Sequence, residues 1–151
     1  MERKKLVIVG AGGFGREVMW QLADVNSLSD MYDILGFVDD TQQLQGKTIN
    51  GYPVVGNMEW LIDYREPICA AICIGNSAAR KRVYEKISVN SNVQFPSIIA
   101  EDVKCSDLVK FGQGCIICLS NILTVNITLG DFVISNLDCT IGHDVVIEDF
   151  V

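Results

Sequence analysis

The only histidine of this 151-residue sequence, His143, is followed at once by Asp144. A free imidazole titrates near ~6.5, so at neutral pH it can take a proton from a nucleophile, and a carboxylate beside it fixes its tautomer and stabilises the imidazolium. The same pair reads equally as a surface histidine in a turn. Asn136 lies a short way upstream, near the preceding bend of the chain. A second cluster is Gly10-Ala11-Gly12-Gly13-Phe14-Gly15, which fits G-x-G-x-x-G. Gly10, Gly12, Gly13 and Gly15 permit a tight turn and let bare amides approach a pyrophosphate at a helix N-terminus. Without a ligand the same residues are simply a tight strand-to-helix turn. Asp39 and Asp40 follow as an acidic pair, and Gly75-Asn76 with Arg80 makes a second candidate loop. There Asn76 can donate to a ligand and Arg80 can pair with phosphate; alternatively Asn76 caps a helix and Arg80 is a solvated charge.

The elements that must carry these residues alternate in the first half. Leu6-Val7-Ile8-Val9 is a buried-strand run ending at Gly10, and Val18, Met19, Leu22 and Ala23 have helical spacing. Ile34 to Val38 predicts a second strand stopped by Asp39-Asp40, Gly51-Tyr52-Pro53 a turn, and Asn57 to Asp63 a short helix. Ile68 to Ile74 is apolar throughout, as in a central parallel strand, and a helix runs from Asn76 or Ser77 to about Ile87. Strand–helix alternation means a parallel α/β sheet, at whose carboxyl edge the two loops lie together. These roughly ninety residues look too few for the six-strand sheet of a full dinucleotide site, so a mononucleotide or nucleotide-sugar fits better than NAD. Asn90 to Ser97, with Pro96, predicts a hinge.

Beyond Pro96 the period becomes six. Counting from Ile99, first positions are Ile99, Cys105, Phe111, Ile117, Leu123, Leu129, Ser135, Ile141 and Ile147. Fifth positions are Val103, Val109, Cys115, Asn121, Ile127, Val133, Cys139, Val145 and Val151. All but Ser135 and Asn121 are apolar if cysteine is counted, whereas second positions are mostly glycine or polar. One fixed register of this kind predicts a parallel β-helix with residues of successive triangular coils in stacks: Phe111 on Leu129 on Ile147, and Cys105 on Leu123 on Ile141. Ile116, Ile122, Ile134 and Val146, at outward sixth positions, call for a covering partner, and so for a trimer. The chain stops within a hexad, as a solenoid cut short or covered by a partner would.

Composition narrows the class. Nineteen acidic against twelve basic residues give a net charge of −7, which supplies no general basic field for a nucleic-acid backbone. No apolar run approaches the ~18 residues of a membrane span and Leu6 to Val9 is too short for a signal peptide, so a cytoplasmic protein is expected. Six cysteines with one histidine do not match zinc spacing, and no metal is expected; Cys105, Cys115 and Cys139 fall on inward positions, as small hydrophobes do.

Taken in order, Val9 to Val18, Phe37-Val38-Asp39-Asp40, Asn50 to Gly56, Ile74-Gly75-Asn76 with Arg80, and Ser135-Asn136 through Gly142-His143-Asp144 to Phe150 resemble the hexapeptide-repeat sugar acyltransferases of bacterial surface-glycan synthesis. These are sialic-acid O-acetyltransferases and UDP-amino-sugar N-acetyltransferases. The resemblance implies a Rossmann-like domain over residues 1–95 holding a UDP-sugar, then the first coils of a left-handed β-helix over 96–151 that trimerises. It implies His143 as general base, Asp144 as its hydrogen-bonding assistant, acetyl-CoA as co-substrate between subunits, and substrate contacts from the glycine loop, Asp39 and Asp40. Two departures stand out. Phe14 replaces a common histidine, and the family continues for several coils that carry most of the acetyl-CoA surface, so this chain by itself is expected to turn over little. The rival reading is a nucleotide-sugar-binding or assembly module; an NAD-dependent reductase is a distant third.

Overall fold

The computed structural model describes residues 2–151. Strands β1 (Lys4–Val9), β2 (Tyr32–Val38), β3 (Thr48–Ile49), β4 (Tyr52–Gly56), β5 (Ile68–Ile72) and β6 (Val93–Gln94) form one sheet in the order β3-β4-β2-β1-β5-β6. Every neighbouring pair is parallel except β3–β4. Helices α1 (Gly13–Ser29), α2 (Met58–Ile62) and α3 (Ser77–Ile87) make the connections. Leu6, Val7 and Ile8 in β1 are fully buried, and β5 is buried along its whole length, because both faces of these central strands are covered.

Three details depart from the sequence reading. Helix α1 continues to Ser29, beyond the Ala23 end of its apolar stripe, and closes on Asp30 in the left-handed region. Asn26 fastens that end by exchanging hydrogen bonds with both the amide and the carbonyl of Tyr32. The turn around Gly51 is a hairpin: Asn50 and Gly51 have φ of 49° and 85°, as a two-residue type I′ connection requires. It sets β4 beside β2, so the sheet has six strands and its size gives no ground against a dinucleotide. Finally, the segment expected as a hinge supplies β6, and Phe95 packs among Tyr84 and Phe132.

After Ile98 the chain winds as a left-handed parallel β-helix with three faces. The first is β7 (Ile98–Ile99), β10 (Ile116–Ile117) and β13 (Ile134–Ser135); the second is β8 (Lys104–Cys105), β11 (Ile122–Leu123) and β14 (Thr140–Ile141); the third is β9 (Val109–Phe111), β12 (Ile127–Leu129) and β15 (Val146–Ile147). The register pairs Phe111 with Leu129 with Ile147, and Cys105 with Leu123 with Ile141. Cys115, Ile117, Leu123, Ile127, Leu129 and Val133 form the buried core. Corners recur with left-handed backbone at Ser120, Asn126, Phe132, Asp138, Asp144 and Phe150.

Two expectations about burial need correcting. Cys105 is exposed despite its inward register, because β8 is the edge strand of its face and nothing stacks below it. Ile116 and Ile134 need no second copy: with Ile98 and Cys118 they pack into a cluster containing Leu6, Ile8, Met19 and Leu22. The first face is therefore covered by the α/β half, and full burial of Ile116 alone is worth about 1.5–3 kcal/mol. The amide of Leu119 donates to Gln21 of α1 across the same junction. Ile122 and Val146, on the other faces, remain exposed.

Candidate active site

The glycine loop is shaped from both sides. Gly10 has φ of 104° and its amide donates to the Val38 carbonyl at 2.8 Å, which brings the loop against the end of β2. A side-chain carbon on Gly15 would collide with the Gly10 carbonyl, so α1 can leave the strand this tightly only with glycine there. Gly12 and Gly13 have no such crowding and stand open to a ligand. Asp39 accepts from the amides of Ala11 and Thr41, both at 2.9 Å. Burial raises its carboxyl pKa, but these hydrogen bonds outweigh burial and hold it below the usual range. Asp40 accepts from the Met58 amide at 2.8 Å. Both aspartates thus support backbone as well as facing a small recess of about 230 Å³ beside Gly10 and Ile74.

On the other side of the loop an open cleft of about 1170 Å³ separates two walls. One wall is Gly13, Phe14, Gly75, Ser77, Ala78, Arg80 and Lys81; the other is Ile134, Asn136, Asp149, Phe150 and Val151 from the last coil. Glu17 also lines it. Asn76 caps α3 by accepting from the Ala79 amide at 2.8 Å, which leaves its NH₂ group for other partners. The Ser77 and Ala78 amides precede the first intrahelical bond, from Arg80 N–H to the Asn76 carbonyl, and both residues line the cleft. Asn136 is exposed, its side-chain oxygen taken by the Leu137 amide.

Arg80 corrects one of its two sequence readings. It is 1% exposed, so it is no solvated charge. Its Nε donates to the Phe132 carbonyl, one terminal nitrogen to the carbonyls of Ile74 and Gly75, and the other to the Phe150 carbonyl. Four of the five N–H groups are thus committed to carbonyls, and the fifth, on the terminal nitrogen that reaches Phe150, is left at the cleft that Arg80 lines. Burial lowers its pKa from the ordinary value, but a guanidinium stays charged at neutral pH. Lys81, next in sequence and exposed on the cleft wall, is a second cation within reach of a phosphate there. Only the run Arg80-Lys81-Arg82 hinted at it.

His143 stands on the corner between the second and third faces, its side chain 78% exposed. Its Nδ1 lies 2.8 Å from Asp144 Oδ2. With Nδ1–H donated to that carboxylate, Nε2 is left as the acceptor, the tautomer a general base needs. Asp144 reaches this position through a left-handed φ of 58°, and its amide donates to the Val125 carbonyl one coil below. His143 does not border the cleft, which opens beside the first face. One chain brings Gly13, Gly75, Arg80 and Asn136 to one cleft, leaves Gly10, Asp39 and Asp40 around the neighbouring recess, and holds His143-Asp144 apart from both. Among the described residues no cluster of His, Cys, Asp or Glu could hold a metal ion, and no helix is long and apolar enough to cross a membrane.

Comparison with known proteins fits this architecture. The family model described as PglD N-terminal domain matches residues 5–87. Among curated proteins nothing matches. The acetyltransferase domain of PglB from Neisseria gonorrhoeae FA1090, solved with acetyl coenzyme A, is 28% identical with a TM-score of 0.84, over 99% of this chain and 69% of that one. WeeI from Acinetobacter baumannii AYE is 28% identical with a TM-score of 0.82, over 97% of this chain and 68% of that one. PerB from Caulobacter crescentus, solved with CoA and GDP-perosamine, shares the fold at 20% identity and a TM-score of 0.84, over 97% of this chain and 67% of that one.

Proposed function

Because the chain belongs to the PglD N-terminal domain family, we propose that it is an acetyl-CoA-dependent acetyltransferase acting on a nucleotide-activated amino sugar or a sialic acid in bacterial surface-glycan synthesis. The observation that carries this reading is the His143–Asp144 pair, hydrogen-bonded at 2.8 Å and open to solvent. The acceptor's amine or hydroxyl attacks the thioester carbonyl, forming the new C–N or C–O bond, while His143 Nε2 removes its proton. Collapse breaks the C–S bond, and the departing thiolate takes the proton back from the imidazolium. Asp144 keeps Nε2 free for this and stabilises the cation. General-base catalysis supplies about 10²–10⁴-fold, so positioning must supply much of the rest.

The nucleotide end of the substrate is assigned to the cleft and recess around the glycine loop. The uncrowded Gly12 and Gly13, the first turn of α3 and Lys81 suit a diphosphate, and Asp39 and Asp40 clasp a uridine. The bound form is a UDP-sugar. Since His143 sits apart from that cleft, the complete site is assembled between copies of a trimer, built on the faces where Ile122, Val125, Leu137 and Val146 stay exposed. The acetyl donor lies between subunits. Its thiol release, followed with a UDP-amino-sugar as acceptor, tests the reading: His143→Ala lowers kcat at least 100-fold and leaves nucleotide-sugar affinity within about threefold. Near-normal kcat in that variant refutes the mechanism, and tight nucleotide-sugar binding by the wild type with no turnover favours the binding module instead.

A further inference from the structure

Arg80 is the largest fully buried side chain of the molecule, and no carboxylate pairs with it among the described residues. A buried cation is costly unless its donors are met, and four carbonyls here take four of its five N–H groups. Those partners divide cleanly. Ile74 and Gly75 follow β5, and Gly75 belongs to one wall of the cleft; Phe132 and Phe150 are corners of two successive coils, and Phe150 belongs to the other wall. Both phenylalanines hold left-handed φ, 56° and 61°, a conformation strained for a bulky side chain. Their rings stack at 5.2 Å, and Tyr84 of α3 lies against both.

Resting on the nucleotide-sugar reading, we propose that Arg80, which itself lines the cleft, is a positioning residue that sets the cleft's width by tying its two walls together. Only a planar fork reaches all four carbonyls. Lysine keeps the charge but, as a point donor, cannot span two coils and the β5 loop together. Arg80→Lys therefore releases the Gly75 wall from the Phe150 wall, and a diphosphate seated between them loses its fitted contacts. The matched control is Tyr84→Leu, which loosens the same junction through the aromatic cluster and leaves the Arg80 hydrogen bonds in place.

Two measurements on the full chain decide the matter. In calorimetric titration with UDP and with GDP, Arg80→Lys weakens binding at least tenfold, whereas Tyr84→Leu, with a comparable loss of Tm, changes it less than threefold. In amide hydrogen exchange, Arg80→Lys speeds Ala79, Phe132 and Phe150 together, and Tyr84→Leu speeds only the two phenylalanines. Equal effects of both variants on affinity, or unchanged affinity in Arg80→Lys, reduce Arg80 to a stabilising contact and overturn the proposal. If the wild type binds neither nucleotide, the ligand reading fails separately. Exchange then decides alone, and protected Ala79 and Phe150 amides in Arg80→Lys refute the tie.

Discussion

The two polar residues that interrupt the hexad core, Asn121 and Ser135, should behave as one unit. Asn121 is fully buried and Ser135 nearly so. The Ser135 hydroxyl donates to the Asn121 side-chain oxygen, and the Asn121 NH₂ donates to the carbonyls of Cys118 at 2.9 Å and Asn136 at 2.6 Å. Ser135→Ala strands the amide oxygen, at about 1–3 kcal/mol for a buried unmet acceptor. Asn121→Val removes all three bonds and strands a hydroxyl and two carbonyls, for roughly 2–4 kcal/mol after the gain from a buried methyl pair. In the double variant Asn121→Val/Ser135→Val the hydroxyl is gone. Position 135 then continues the Ile99–Ile117 stack with an apolar side chain. The double should be about 1–3 kcal/mol more stable than the sum of the single effects. Urea denaturation of the wild type, Asn121→Val, Ser135→Val and the double closes the cycle. Additivity within about 0.5 kcal/mol would show that the two residues are independent and that the reasoning is wrong.

Other outcomes can be checked more briefly. Asp144→Asn should lower kcat by less than His143→Ala does, with KM nearly unchanged, because a misoriented imidazole still accepts a proton part of the time. Asp39 has a folded pKa below its ordinary 3.8, so its contribution to stability is present above about pH 4 and is lost as pH falls through the lower folded value. Asp39→Asn should therefore flatten the acid limb of a Tm-against-pH curve; an unaltered limb would count against the Ala11 and Thr41 hydrogen bonds. Burial pushes the thiols of Cys69, Cys73, Cys115 and Cys118 upward, whereas Cys105 is exposed. At pH 8 a chromogenic disulfide should label Cys105 first, and Cys105→Ser should abolish the fast phase. Light scattering at micromolar concentration should give three chain masses, and Val146→Glu, on an exposed face, should shift the mass toward one.

Much of the fold was legible because its signals are local. The six-residue register depends on which way each side chain points, and the stacks of Phe111, Leu129 and Ile147 follow from it. What lay outside the coil did not follow. Ile116 and Ile122 occupy equivalent positions, yet one is buried under α1 and its strand while the other faces solvent. That difference comes from how the α/β half docks, which no period encodes. The β3–β4 hairpin was hidden because Pro53 and Gly51 read first as punctuation. For the site, the adjacency of His143 and Asp144 anticipated their hydrogen bond, since neighbours at a sharp corner can scarcely avoid it. Arg80 was misjudged because its partners Phe132 and Phe150 lie far along the chain. Side-chain type told that a guanidinium seeks oxygen, not whose oxygen it finds.

The left-handed corners at Ser120, Asn126, Phe132, Asp138, Asp144 and Phe150 have a consequence for how such a chain can change length. Adding one hexad moves every later residue onto the next face, so the histidine corner would rotate to where Asp149 and Phe150 now border the cleft. Removing a single residue would turn the whole inward set outward. Only a change by a complete triangular turn returns each side chain to its face, displaced along the axis by one strand spacing of about 4.8 Å. Length in this half is therefore quantised. An evolving or engineered descendant can lengthen its platform in whole turns without disturbing the angle of His143, but every shorter step relocates the chemistry before it alters the core.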